Sequence, residues 1–188
     1  QIVIYRWNIT NGRKTVETME NIQIVFEDTP EKFQPLAEEI LPPLLEVLKE
    51  RNELEKEIFA RSLKLRKEKA AAGVPEYQSG PEEEALWEEY GRRYLDLVSP
   101  HCTEKMLKWG AARSFGKPAK YDYLLDAPEF AVHFTMKSAK RAVVTARNSV
   151  SYSYGYRFIL RPFEDGWKVD GAECALGDGG SWGVEHSL

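Results

Sequence analysis

From Phe130 onward the chain alternates between apolar and polar positions. Phe130, Val132, Phe134 and Met136 are separated by Ala131, His133, Thr135 and Lys137; Val144 and Ala146 alternate with Thr145 and Arg147. Tyr154, Tyr156, Phe158 and Leu160 alternate with Gly155, Arg157, Ile159 and Arg161, and Trp167 and Val169 with Lys168 and Asp170. A period of two sends successive side chains to opposite faces, so this half is predicted to form half-buried strands. Glu164-Asp165-Gly166 supplies a hairpin turn between the last two and so fixes their register.

Upstream the period is helical. Thr29-Pro30-Glu31 reads as N-cap, first-turn proline and acid, with Phe33, Leu36, Ala37, Ile40 and Leu41 following at helical spacing. Pro42-Pro43 is expected to break or kink that helix, since each proline lacks a donor and crowds the preceding turn. A second helix, from about Leu44 to Ala72, puts Leu44, Val47, Leu48, Leu54, Ile58 and Leu65 inward and Glu, Lys and Arg outward. Gly73-Val74-Pro75 ends it. Ser79-Gly80-Pro81-Glu82 reads as a capping box into a third helix, whose Leu86, Trp87, Tyr90, Tyr94, Leu97 and Val98 share one face. A short fourth helix follows Ser99-Pro100 and stops at Gly110. At the start, Asn11-Gly12 between β-prone runs predicts a hairpin, with Ile22–Phe26 as a further short strand.

Helices first and a one-sided antiparallel sheet afterwards predict an α+β fold with the helices on the sheet's apolar face. The 188 residues fit one domain: an N-terminal hairpin extension (1–28), a helical part (29–110), and the sheet with its tail (121–188). The other face of the sheet would carry His133, Lys137, Arg147, Arg157, Arg161, Lys168 and Asp170, with cross-strand charge pairs such as Arg157 with Asp170.

Composition narrows the function classes. No apolar run approaches the roughly 20 residues of a membrane helix, so no membrane partner is expected. Cys102 and Cys174 are too few and too far apart for a disulfide framework or a cysteine zinc site, which suggests reduced thiols in a cytoplasm. Gln1 is not a start methionine, which leaves a removed leader open. Residues 1–109 carry 16 basic and 21 acidic side chains, net −5, and residues 110–188 carry 10 and 9, net +1. An acidic helical half argues against direct nucleic-acid binding. Glu82, Glu83, Glu84, Glu88 and Glu89 read as a solvated helix face complementing the N-terminal dipole.

Catalytic signatures are scarce. His101, His133 and His186 show no metal-ligand spacing, and neither a nucleophile elbow, a P-loop nor a zincin motif is present. "GDGGSWG" does not lead from a strand into a helix, so it fails as a phosphate cradle. It reads as a tail turn closed by Trp182. No cofactor or metal is expected. A cavity enzyme of the dehydratase or isomerase kind remains the alternative, with Tyr90, Tyr94, Trp87 and Phe134 lining a pocket and the loop acids Asp122 and Asp126 at its mouth.

"YDYLLDAPEF" (Tyr121–Phe130), "AVVTAR" (Ala142–Arg147), "YGYRFILRPFEDGWKVDG" (Tyr154–Gly171) and "SWGVEHSL" (Ser181–Leu188) resemble, in that order, the immunity proteins of bacterial polymorphic toxin systems with a nuclear-transport-factor-2-like fold. The resemblance spans roughly residues 85–188 and is looser before them. It implies a cone of helices packed into a curved antiparallel sheet. It also implies a non-enzymatic role, that of binding and neutralising a cognate toxin domain, often from an Rhs-type or contact-delivered protein, in the producer's cytoplasm. The N-terminal hairpin and Pro42-Pro43 depart from that pattern. Residues 162–188 hold Glu164, Asp165, Asp170, Glu173, Asp178 and Glu185 against Lys168 alone. Carboxylates of this kind suit a basic toxin groove, so the expected toxin-binding set is Asp170, Glu173, Asp178 and Glu185, with Trp182 as the aromatic anchor. The sequence sets no oligomeric state.

Overall fold

The computed structural model of the chain describes residues 2–4, 22–108, 115–125, 130–147, 154–177 and 181–188. Seven strands form one sheet in chain order: β1 (Ile2–Ile4), β2 (Ile22–Glu27), β3 (Phe130–Ser138), β4 (Arg141–Arg147), β5 (Tyr154–Phe163), β6 (Gly166–Leu176) and β7 (Gly183–Glu185). Two long helices, α1 (Leu36–Ala71) and α2 (Pro81–Val98), and two short ones, α3 (Glu104–Leu107) and α4 (Asp122–Leu125), are inserted between β2 and β3. The architecture is α+β, as the pattern predicts.

The sheet is mixed, and here the expectation of an antiparallel sheet needs correcting. β2 pairs in parallel with β3, Ile24 opposite Val132 and Phe26 opposite Phe134, whereas every other neighbouring pair is antiparallel. The reason is topological. A strand that returns to the sheet only after a long helical crossover can lie parallel to its neighbour, whereas a short turn enforces antiparallel pairing. The strands β1 and β2, themselves paired antiparallel, thus extend the main sheet, with Ile22 and Ile24 in the common core. The Asn11-Gly12 turn, Asp126 and Asp178 lie outside the described residues.

Inward alternation holds on the central strands. Val132, Phe134, Met136, Ala142, Val144, Ala146, Phe158 and Leu160 are all buried, together with Leu48, Ile58, Leu86, Tyr90, Tyr94 and Val98 of the helices. Trp167 is only half-buried. Gly166, at φ 119°, closes the β5–β6 hairpin where a side chain would be strained.

Three further expectations fail for local reasons. α1 runs without interruption through Pro42 and Pro43. The carbonyls that lose their donors, four residues back, belong to the exposed Glu38 and Glu39. Burial of Ala37, Ile40, Leu41, Leu44 and Leu45 on both sides of the pair keeps the helix in register. Thr29 does not cap it. Its hydroxyl lies 2.7 Å from the Glu27 carbonyl and accepts the Met136 amide at 2.9 Å, where the β3–β4 register shifts. At α2 the cap is Gly80, whose amide donates to Glu83 Oε2 at 3.0 Å, the reciprocal half of a capping box, with Pro81 at the first helical position.

Candidate functional site

Two arrangements carry the chemistry, and residues 181–188 join them. On the face of the sheet away from the helices, His133, Thr145, Arg157, Glu173 and Val184 lie opposite one another across β3 to β7. Arg157 donates to Glu173 at 2.9 Å. The Trp182 ring lies over the Arg157 guanidinium at 3.9 Å and near that of Arg147 at 5.0 Å, both cation–π contacts. Beneath it is Gly155, where an added Cβ would lie 3.0 Å from the indole, so a side chain there would crowd the ring against the strand.

The charge pair differs from the one expected. Arg157 meets Glu173, and Asp170 instead accepts from Arg161 Nε at 2.9 Å. A bulge is the cause: Leu160 opposes Val169 while Ile159 opposes Gly171, which leaves Asp170 as the extra residue. A bulge re-aims its side chain, and Asp170 also accepts the Thr103 hydroxyl at 3.0 Å. The Thr103 amide donates to the Val169 carbonyl at 2.9 Å, so the segment before α3 docks at this irregularity.

The second arrangement lies on the helix side. The amphipathic pattern of α1 predicts that all its charges turn outward, but Arg51, Asn52 and Glu55 are buried. Arg51 is ion-paired with Glu55, whose carboxylate also accepts the amides of Gly116 at 3.0 Å and Lys120 at 3.1 Å. Asn52 takes the Tyr121 amide at 2.9 Å and donates to Asp122 at 2.7 Å. Asp122, expected in a loop, is the first residue of α4; it also accepts the Ala119 amide and pairs with Lys56 at 3.0 Å. A signal was present in the sequence. Positions 44, 48, 51, 55, 58 and 62 continue one helical stripe, so Arg51 and Glu55 fall among inward positions.

Lys120 joins this cluster to the tail. Its ammonium reaches Glu185 Oε2 at 2.6 Å, the Ser187 carbonyl at 2.8 Å and the Ser187 hydroxyl at 3.3 Å. The Cys174 thiol donates to the other Glu185 oxygen at 3.0 Å. Leu188 is buried in the core, its amide donating to Tyr94 Oη at 2.9 Å and its carbonyl accepting from Arg51 Nε at 3.0 Å. Among the described residues every buried side-chain nitrogen and oxygen has a partner.

The protonation states follow from these contacts. Burial pushes the Cys102 thiol up to about 12, and burial together with Glu185 pushes Cys174 up to about 11, so neither is a ready thiolate nucleophile. Burial lowers Lys120, against the pull of Glu185. At Glu185 burial opposes ionisation, but Lys120 and the Cys174 thiol outweigh it and hold the carboxyl below its ordinary range. Asp122 is likewise held low, burial being outweighed by Lys56, Asn52 and the Ala119 amide. Groups with depressed folded-state values contribute stability that is present above their unfolded values and lost as the pH falls through the folded ones. The melting temperature is therefore expected to fall between about pH 5 and pH 2. Asp122→Asn and Glu185→Gln should each flatten that slope. A thermal scan series unaffected by both substitutions would contradict the assignment.

Of the residues expected to meet a toxin, the structure brings Glu173 and Trp182 together on the open face and places Asp170 at the bulge, each engaged by an arginine. The Glu185 carboxylate is turned to Lys120 and Cys174, away from that group. Among the described residues no group of three or more His, Cys, Asp or Glu is arranged to hold a metal ion, and no helix is long and apolar enough to cross a membrane. Compared with known protein families, curated proteins and solved structures, the chain matches none.

Proposed function

We propose that the chain is an immunity protein with a cone-like, nuclear-transport-factor-2-like fold, which binds the toxic domain of a polymorphic toxin of the Rhs type and neutralises it in the producer's cytoplasm. The observation that carries this reading is the mutual pairing of the groups buried between helices and sheet. Tyr90, Tyr94, Tyr121, Phe134, Phe158 and Met136 are all buried between helices and sheet, and the charged groups among them are committed to one another. A cavity enzyme needs an acid or base free to meet a substrate. Of the two acids expected for such a site, Asp122 is held by three donors and Asp126 lies outside the described residues, and His133 faces away from the interior with Nδ1 2.6 Å from Glu27.

The docking face we favour is the open side of the sheet around Trp182, with Glu173 and Asp170 at its margin. Its charges are paired laterally but remain partly exposed, and a basic groove can compete for such carboxylates where it cannot reach a buried one. Glu185 is left to an internal role.

Protection of cells expressing the proposed partner toxin is the direct test. Trp182→Ala and Glu173→Lys should weaken protection while Asp122→Asn leaves it intact. Protection lost with Asp122→Asn at unchanged stability, or turnover of a small molecule that disappears with it, would favour the dehydratase or isomerase alternative.

A further inference from the structure

Residues 182–188 behave as a ligand bound to the rest of their own chain. β7 contributes only three paired residues at the edge of β6, and Val184 within it is 70% exposed. Its hold comes instead from discrete anchors. All the hydrogen bonds made by the Lys120 ammonium go to Glu185 and Ser187, and all those of Tyr94 Oη go to Leu188. Arg51 Nε donates to the Leu188 carbonyl. With the segment in place Arg51 and Tyr94 are each 2% exposed, so the segment both covers these groups and satisfies them. The body of the protein meets the segment with three features. It has a free strand edge on β6 at Ala172–Cys174, an ammonium placed for a carboxylate, and a buried Arg–Tyr pair placed for the backbone of an aliphatic residue three positions later.

We propose that this groove is a peptide-recognition site, occupied in cis by the tail. Its ligand class is an extended segment that adds a strand to β6 and carries a glutamate three residues before a leucine-like residue. Strand addition supplies sequence-independent hydrogen bonds, and the Lys120 and Arg51–Tyr94 anchors supply the selection. The site stands on the contacts of the tail itself and does not depend on the immunity reading.

Two measurements test it. In the unaltered protein, hydrogen exchange should show the amides of Val184, Glu185 and Leu188 opening well before those of β4 and β5, as a separable unit does. Exchange of both sets at one common rate would overturn the proposal. In a protein carrying a protease site between Gly177 and Ser181 and then cleaved there, a labelled peptide of residues 182–188 should replace the resident segment saturably. Peptides with Glu185→Gln or Leu188→Ala should bind at least about tenfold more weakly, as loss of a charge-assisted bond or a buried side chain requires. Unfolding on cleavage, absence of exchange, or equal binding of all three peptides would each refute it.

Discussion

Arg51→Ala is expected to destabilise the protein by about 3–5 kcal/mol, because it leaves the Glu55 carboxylate buried without its cation. Glu55 is 5% exposed and holds the amides of Gly116 and Lys120, so the chain leading into α4 would loosen with it. The Leu188 carbonyl loses its Arg51 donor at the same time. Neutralising the partner should recover part of the loss. The double variant Arg51→Met, Glu55→Gln removes the stranded charge while the amide oxygen still accepts from the loop, and it should therefore be more stable than Arg51→Ala. Chemical denaturation of the three proteins checks this. A loss below about 1 kcal/mol for Arg51→Ala, the scale of an exposed pair, would mean the cluster is open to water.

Phe158→Ala should have a comparable effect, about 3–5 kcal/mol, through a cavity in the middle of the sheet. Phe158 is 1% exposed, lies between Val144 and Ala172 in the ladder, and has the Tyr121 ring 6.3 Å away. The value bears on function as well as on stability. An interior shaped to admit a ligand would already contain space, and truncation there would be tolerated. A filled interior answers with the full transfer and cavity terms. Denaturation at equilibrium distinguishes the two, a loss under about 1 kcal/mol being inconsistent with the packed interior.

The strands of the second half were legible because one face is buried, and a period of two then identifies Val132, Phe134, Val144 and Phe158 without further information. The parallel pairing of β2 was not, since a strand's pattern does not state its neighbour, and the crossover that allows parallel pairing occupies about a hundred residues. The bulge at Asp170 changes the charge pairing: the hairpin register carried on without it sets Arg157 opposite Ala172, whereas the inserted residue delivers Glu173. Arg51 and Glu55 escape a reading in which charge means exposure. Their position on the inward stripe of α1 outweighs that rule when each charge finds its partner one turn away. The role of the tail was legible only in part. The packing of Trp182 on the body could be read from the sequence, but the two arginines beneath it, and the lysine that holds Glu185, come from strands and loops far away in sequence.

The proposed neutralisation by stoichiometric binding is tested most directly by titrating the purified chain into the purified toxic domain of its proposed partner and following that domain's activity. The expected result is a linear loss of activity that is complete near one equivalent, does not deepen with time, and shifts to weaker binding with Trp182→Ala. Continued inactivation at substoichiometric amounts, or full toxin activity in a large excess of the chain, would contradict it.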